Sequence, residues 1–181
     1  IQDSPLNGIN LHTKRIIDVI FSSLALIVLA LPMALIALII KITSKGPIVY
    51  TQERVSIDGS AFKILKFRTM SIDAESAGPG WTTKNDDRVT PFGRFLRSAS
   101  LDELPQLFNV LLGDMSIVGP RPERPVYITE FRSRIPNYML RHKVPAGITG
   151  WAQVNGWRGD TSIDKRIEYD LYYITNWSII F

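Results

Sequence analysis

Two adjacent acids, Asp102 and Glu103, and an arginine enclosed by prolines, Pro120-Arg121-Pro122, stand within one short stretch of this chain. That grouping suits phosphate chemistry. A proline fixes its own φ and drives the residue before it into extended conformations, so Arg121 has few backbone states left to lose on binding. A guanidinium presented that way grips an anion at low entropic cost. Of the two acids, one could attack phosphorus while its neighbour holds a divalent cation by oxygen ligation, the mode Mg²⁺ prefers. Two carboxylates facing a diphosphate repel it without such an ion. Other cations cluster in the same part of the chain: Lys63, Lys66 and Arg68, then Arg94 and Arg97, then Arg121 and Arg124. A solvated basic face explains any one of these singly.

The acids also have a bland explanation. Ser100-Leu101-Asp102-Glu103 matches a capping box, with serine as the cap and glutamate three residues on. Pro105 stands against it, because a helix capped at Ser100 needs the amide of residue 105 as a donor and proline has none. If the helix starts at Asp102 or later, both carboxylates sit beside unpaired amides at the positive end of the dipole. There a carboxylate of low pKa stays ionised and phosphates are favoured. Adjacent helical residues point about 100° apart, which allows the two acids different roles.

The elements that must carry these residues are legible in outline. An apolar run from Ile16 to Ile40 is interrupted by Asp18, Ser22 and Ser23, and a helix of that length could cross a hydrocarbon core about 30 Å thick. A straight span and a helix that enters the bilayer and returns both fit. Pro32 near its middle, with Lys14 and Arg15 before it and Lys41 and Lys45 after it, bears towards the re-entrant form. After Gly46-Pro47 the pattern alternates, with Asp58-Gly59 between two runs ending at Tyr50 and Phe67, a hairpin signal. Ser71 to Arg88, with Gly78-Pro79-Gly80 inside, reads as a long loop. Thr90-Pro91 opens a short helix through Phe92, Phe95 and Leu96. A second helix covers about Leu104 to Leu112 and stops at Gly113, and an amphipathic one covers about Ser162 to Asn176.

These elements give an α+β fold: a linker over 1–13, a membrane helix over 14–45 with Pro32 near its middle, spanning or re-entrant, and a domain over 46–181 with a small antiparallel hairpin and several short helices. The final Asn176-Trp177-Ser178-Ile179-Ile180-Phe181 is apolar and uncapped, as if cut from a longer protein. With 181 residues the chain is of one-domain size. The absence of cysteine excludes disulfides, thiolate metal sites and a cysteine nucleophile. A net charge of +4 suits an anionic partner. Lys66-Phe67-Arg68 alternates basic and aromatic residues as single-strand binders do, but the glycines of RNA-binding strands are missing, so nucleic acid is not the expected partner. Pro122-Glu123-Arg124-Pro125 passes as a polyproline docking ligand, a cheap signal.

Taken in order, Lys14 to Asp18, Phe62 to Met70, Ser100 to Asn109, Gly113 to Ser116, Val118 to Pro122 and Pro145 to Gln153 resemble the signatures of the bacterial sugar transferases, the monotopic polyprenyl-phosphate hexose-1-phosphate transferases. Tyr138 to Lys143 and Gly156-Trp157-Arg158-Gly159 look most like the branch that starts exopolysaccharide repeat units with glucose-1-phosphate. Members of that branch carry further N-terminal transmembrane helices, so the resemblance implies that this chain is the catalytic part alone.

The resemblance also implies that the helix over 14–45 is re-entrant and kinked at Pro32, and it implies a covalent mechanism. Asp102 would attack the sugar-bearing phosphate of a UDP-sugar and expel UMP, and polyprenyl phosphate would then take the phosphosugar. Glu103 would bind Mg²⁺. Lys66, Arg68, Arg97 and Arg121 would hold phosphate oxygens, Pro120 and Pro122 would frame the uridine contact of Arg121, and Asp170 is a family-like acid of open role. The expected partners are a UDP-sugar, with glucose or galactose foremost, polyprenyl phosphate and the phospholipid bilayer, with a homo-oligomer left open. The expected location is the bacterial inner membrane with the active site facing the cytoplasm. One departure is that Leu31, where relatives carry serine, precedes Pro32, so no hydroxyl is placed there to satisfy a freed carbonyl. The rival from another class is a non-catalytic, membrane-anchored polyanion-binding module in which the basic strand and Arg121 bind headgroups and the acids merely cap.

Overall fold

The computed structural model describes residues 4–6, 8–74, 86–159 and 161–179. It begins with one long helix, α1 (Gly8–Thr43), continuous through Pro32. The helix therefore starts earlier than the apolar run, and the end of the segment read as a linker over 1–13 is helical. Most of its middle faces outward, with Ile27 74% and Val28 75% exposed. Among the described residues it is one helix long and apolar enough to cross a membrane, and its bare hydrocarbon face fits membrane association.

Both ends of α1 are fastened to the rest of the chain. Near the start, Arg15 donates to the carbonyls of Val110 and Leu111 (the latter at 2.7 Å), and Asp18 accepts from the Ile117 amide at 3.1 Å. Lys14 and Asp18 are buried there, 3.6 Å apart. Near the end, Ile36 and Ile40 enter a core with Phe67 and Leu96.

A hairpin follows. Strand β1 (Val49–Val55) pairs antiparallel with β2 (Ala61–Phe67), from Val49 opposite Phe67 to Val55 opposite Ala61. Its tight connection uses left-handed Asp58 (φ 52°) and Gly59 (φ 79°), as Asp-Gly allows. The loop read between Ser71 and Arg88 is closed at its base by the Ser71 amide on the Arg88 carbonyl (2.9 Å) and the Met70–Val89 bridge; its glycines lie outside the described residues. Helix α2 (Pro91–Ser98) has Thr90 as N-cap, its hydroxyl accepting from the Gly93 amide at 3.0 Å. Helix α3 (Gln106–Leu112) ends at Gly113 with φ 98°.

A second, parallel sheet was not legible: β3 (Met115–Val118) beside β4 (Ala146–Thr149). Four-residue strands with no alternation give no period-two signal. Between them lie α4 (Pro125–Arg134) and a 3-10 segment, Tyr138–Lys143; after them come α5 (Trp151–Val154) and α6 (Ile163–Asn176). Of the stripe that the spacing predicts, Ile163, Ile167, Leu171 and Ile174, helix α6 buries Ile167 and Ile174, and it also buries Tyr173, Arg166 and Asp170.

The parallel pair closes on glycines. A Cβ at Gly147 would meet the Gly119 nitrogen at 2.1 Å and the Thr149 oxygen at 2.4 Å, both immovable backbone. The same contact carries hydrogen bonds from the Gly119 amide to the Thr149 carbonyl and from the Gly147 amide to the Pro120 carbonyl, each 2.9 Å. Gly147→Ala is expected to cost about 1–3 kcal/mol in a denaturant titration of the detergent-solubilised protein; an unchanged midpoint would contradict this packing.

Candidate active site

Asp102 and Glu103 share a 3-10 turn, Leu101–Glu103, between α2 and α3. Leu101 and Leu104 on either side pack against the Ile36, Phe67 and Leu96 core, which fixes the turn in place. Ser100 before it is left-handed (φ 56°) and its side chain makes no capping bond, so the capping-box reading of the acids fails. Helix α3 opens instead after Pro105, where a missing amide costs nothing because the first amides of a helix have no internal partner.

The two carboxylates have opposite electrostatic fates. Glu103 Oε1 accepts from Lys66 Nζ at 2.7 Å and from Arg121 Nη2 at 2.6 Å, and Oε2 lies 3.4 Å from Arg121 Nη1. Burial works to raise its pKa, but Arg121 and Lys66 outweigh burial and hold it at about 2. Asp102 is 8% exposed. Burial lifts its pKa above the ordinary value and Glu103 adds to the lift, while Lys66 and Arg97 oppose it. The sequence pattern points to an acid kept ionised by a helix terminus. The structure corrects this for Asp102, because the turn is a single 3-10 one and the helix proper begins beyond Pro105, out of range of a dipole that acts over one turn. A pair of carboxylates whose surroundings drive their pKa values apart is the usual arrangement for dividing roles in catalysis.

The basic residues divide three ways. Lys66 and Arg121 converge on the acids, and burial lowers the Lys66 pKa, with Arg121 adding to the effect. Arg97 donates from Nε to Thr69 Oγ1 at 2.8 Å and bears on Asp102 through its charge. Arg68 does not reach the acids with its hydrogen bonds: Nη2 donates to the Ser44 carbonyl (2.9 Å) and hydroxyl (2.8 Å), leaving Nε and Nη1 buried without a partner.

Arg121 is held more firmly than its prolines alone would hold it. The Pro120 carbonyl accepts from the Gly147 amide at 2.9 Å, the Arg121 carbonyl from Arg141 Nη2 at 2.8 Å, and the Pro122 carbonyl from Arg54 Nη1 at 3.1 Å. Arg141 is 2% exposed and is itself clamped by Asp170, whose Oδ2 accepts from Nη2 at 2.7 Å and Nε at 3.1 Å. Asp170, whose role the sequence leaves open, is thus buried behind the site and supports the Arg121 loop from there. Glu123 completes the network, 3.1 Å from Arg166 and 3.9 Å from Arg141. Burial works against the Arg141 charge, but Asp170 and Glu123 outweigh it and raise the guanidinium's pKa.

Arg141, Glu123 and Arg166 escape a reading of the sequence because each looks like any surface charge, and only the fold puts them inside. Asn109 is a further case. Its Oδ1 accepts from the Leu65 amide at 2.9 Å and its Nδ2 donates to the Lys63 carbonyl at 2.8 Å, tying α3 to the strand that presents Lys66. Lys14, Arg15 and Pro32 lie on α1, where the first two anchor the helix and do not line the acid pair.

Among the described residues no three or more histidine, aspartate or glutamate side chains gather into a metal cage. An ion at this site would take Glu103 as its protein acid, through Oε2, since Oε1 already accepts from both Lys66 and Arg121. That donor set fits Mg²⁺, which is commonly held by one or two carboxylates together with water and substrate phosphates.

The turn of two acids, the two cations gripping one of them and the braced Pro-Arg-Pro loop form one charged site in a chain that begins with a membrane-associating helix. The family model described as bacterial sugar transferase matches residues 9–181, and the chain belongs to that family. It is 55% identical over 98% of its length to a UDP-glucose:undecaprenyl-phosphate glucose-1-phosphate transferase of Klebsiella pneumoniae, of which it covers 39%. It is 47% identical over its whole length to the protein so described in Escherichia coli (strain K12), covering 40% of it. A UDP-N-acetylgalactosamine-undecaprenyl-phosphate N-acetylgalactosaminephosphotransferase of Aeromonas hydrophila is 42% identical over 92% of the chain, which spans 40% of that relative. The chain thus spans about two fifths of the length of these relatives.

Proposed function

We propose that this chain carries the catalytic machinery for transferring a hexose-1-phosphate from a UDP-sugar to polyprenyl phosphate, the first membrane step in building an exopolysaccharide or related glycan. The observation that carries the reading is the divided acid pair. Glu103 is held ionised by Arg121 and Lys66, while Asp102 is buried beside Lys66 and Arg97 with its charge less stabilised, as suits a nucleophile. An oxygen of Asp102 attacks the sugar-bearing phosphorus, the bond from that phosphorus to the UMP oxygen breaks, and UMP leaves with the bonding pair. An oxygen of polyprenyl phosphate then attacks the same phosphorus and the acyl-phosphate bond breaks, restoring the Asp102 carboxylate. Lys66, Arg97 and Arg121 orient the diphosphate and meet the charge that develops on it. Glu103, ionised throughout, would hold Mg²⁺ with the substrate's phosphate oxygens, and the ion would neutralise part of the diphosphate charge.

The membrane reading draws on α1. Arg15 and Ile40 stand about 38 Å apart along a helix, more than a hydrocarbon core, yet both touch the same globular body. A helix crossing the bilayer would carry those ends to opposite faces. A monotopic insertion, with both ends and the active site on the cytoplasmic side of the inner membrane where nucleotide sugars are made, agrees with both contacts.

Incubation of the detergent-solubilised chain with Mg²⁺, polyprenyl phosphate and separate UDP-sugars is expected to give UMP and polyprenyl-diphosphate-sugar one for one, from UDP-glucose first. No product from any donor would overturn the reading. The pH profile follows from the acids. Asp102 must be ionised to attack, so UMP release rises with pH through a pKa above the ordinary aspartate value. Arg97 lowers that pKa, so Arg97→Met is expected to move the rising limb towards higher pH by up to about one unit in a series from about pH 4 to 8. A limb that stays put or moves down would sink this assignment.

A further inference from the structure

A buried polar stripe runs from the active-site turn into α3: Asp102, Gln106 and Asn109 are 8%, 1% and 1% exposed. Residues four and then three apart share one face of a helix. That spacing holds across Pro105, because Leu104 and Pro105 themselves take right-handed helical backbone angles and carry the 3-10 turn into α3.

The three side chains are unequally served. Asn109 Nδ2 donates to the Lys63 carbonyl at 2.8 Å and to Asp114 Oδ2 at 3.1 Å, and its Oδ1 accepts from the Leu65 amide at 2.9 Å. Gln106 Nε2, by contrast, is buried and has no partner. A buried donor left so costs folding free energy, and its presence calls for a reason. One turn away, among the described residues, no side chain donates a hydrogen bond to the Asp102 carboxylate. Lys66 and Arg97 bear on Asp102 through charge while their hydrogen bonds go to Glu103 and Thr69. Glu103 is the other acid near Gln106 along the chain, but its Oε1 already accepts from both Lys66 and Arg121. The unused amide and the unserved carboxylate are therefore complementary. Glutamine and aspartate at this spacing can pair, and bonds to catalytic groups often tighten only once substrate is bound.

Resting on the function proposed above, we infer that Gln106 is a positioning residue for Asp102, its Nε2–H donating to one carboxylate oxygen so that the other faces the sugar-bearing phosphorus. The same donor serves the second step. As polyprenyl phosphate attacks and the bond from phosphorus to Asp102 breaks, the bonding pair returns to the carboxylate, and the amide meets the charge that gathers there. Gln106 is sealed from solvent, so it acts through Asp102 and governs rate more than affinity.

Gln106→Met in the full chain keeps the length of the side chain and removes the donor. The kcat for UMP release is expected to fall about 10²-fold, the scale on which a misplaced reacting group acts, with the KM for UDP-sugar within about twofold. A phosphosugar adduct formed on the variant should pass to polyprenyl phosphate about tenfold or more slowly than the parent's. The variant should also unfold at the same or a higher denaturant concentration, because the parent's amide is unpaired in the resting fold. A kcat within about threefold of the parent, or a raised KM at unchanged kcat, would overturn the inference. Gln106→Leu, of another shape, is read in the same way and separates a packing fault from a lost bond. If both variants unfold early, the amide serves the fold and the inference falls; if one folds normally, its kcat decides. A parent chain that releases no UMP from any UDP-sugar refutes the proposed function and this inference with it, whereas a working parent beside an equally fast Gln106→Met refutes the inference alone.

Discussion

Asp102→Asn is expected to leave the fold intact and reduce UMP release from UDP-sugar by about 10⁴-fold or more, the scale on which removing an attacking group acts. The amide is nearly the same shape as the carboxylate, and burial already favours the uncharged form of this side chain. The variant should therefore unfold at no lower denaturant concentration than the parent, since Lys66 keeps its bond to Glu103 and Arg97 its bond to Thr69. The comparison with Glu103→Gln separates the roles. Lys66 and Arg121 both depend on Glu103, so that change strands two cations and should lower stability as well as rate. A rate for Asp102→Asn within tenfold of the parent would leave the turn without its attacker.

The second large effect lies away from the acids. Arg141→Met keeps the volume but leaves Asp170, 2% exposed, without the guanidinium that pairs it. Breaking a buried pair by removing one partner costs about 3–5 kcal/mol, because the charge left behind stays desolvated. The Arg121 carbonyl loses its donor in the same stroke. Denaturant unfolding should register the stability loss, and the activity that survives should show a raised KM for UDP-sugar as the Arg121 loop loosens. Pairing the change with Asp170→Leu should recover much of the stability and none of the KM, since the apolar pair relieves the stranded charge without restoring the brace. A single variant as stable as the parent would contradict the ion network.

The parts of this molecule that could be read from the sequence are those governed by local rules. The Thr90-Pro91 cap, the Asp58-Gly59 connection, the stop at Gly113 and the buried stripe of α6 depend on residues a few positions apart, and each forms where the pattern puts it. The acid pair and Arg121 could be read too, because the unusual spacing of proline around them restricts the backbone visibly. The parallel pairing of β3 with β4, the burial of Arg141, and the way Lys66 and Arg121 converge on one glutamate are products of long-range packing, for which no short window carries a signal. Asp102 illustrates the difference best. Its neighbours in sequence suggested a stabilised anion at a helix start, whereas its neighbours in space make ionisation harder.

The most direct measurement is the intact mass of the chain after incubation with Mg²⁺ and a UDP-hexose in the absence of any lipid acceptor. A gain of one phosphohexose is expected on the parent chain, located to Asp102 by peptide mapping, discharged when polyprenyl phosphate is added and missing from Asp102→Asn. UMP formed while the protein mass never changes, or an adduct that persists in Asp102→Asn, would mean that the phosphosugar does not pass through this carboxylate.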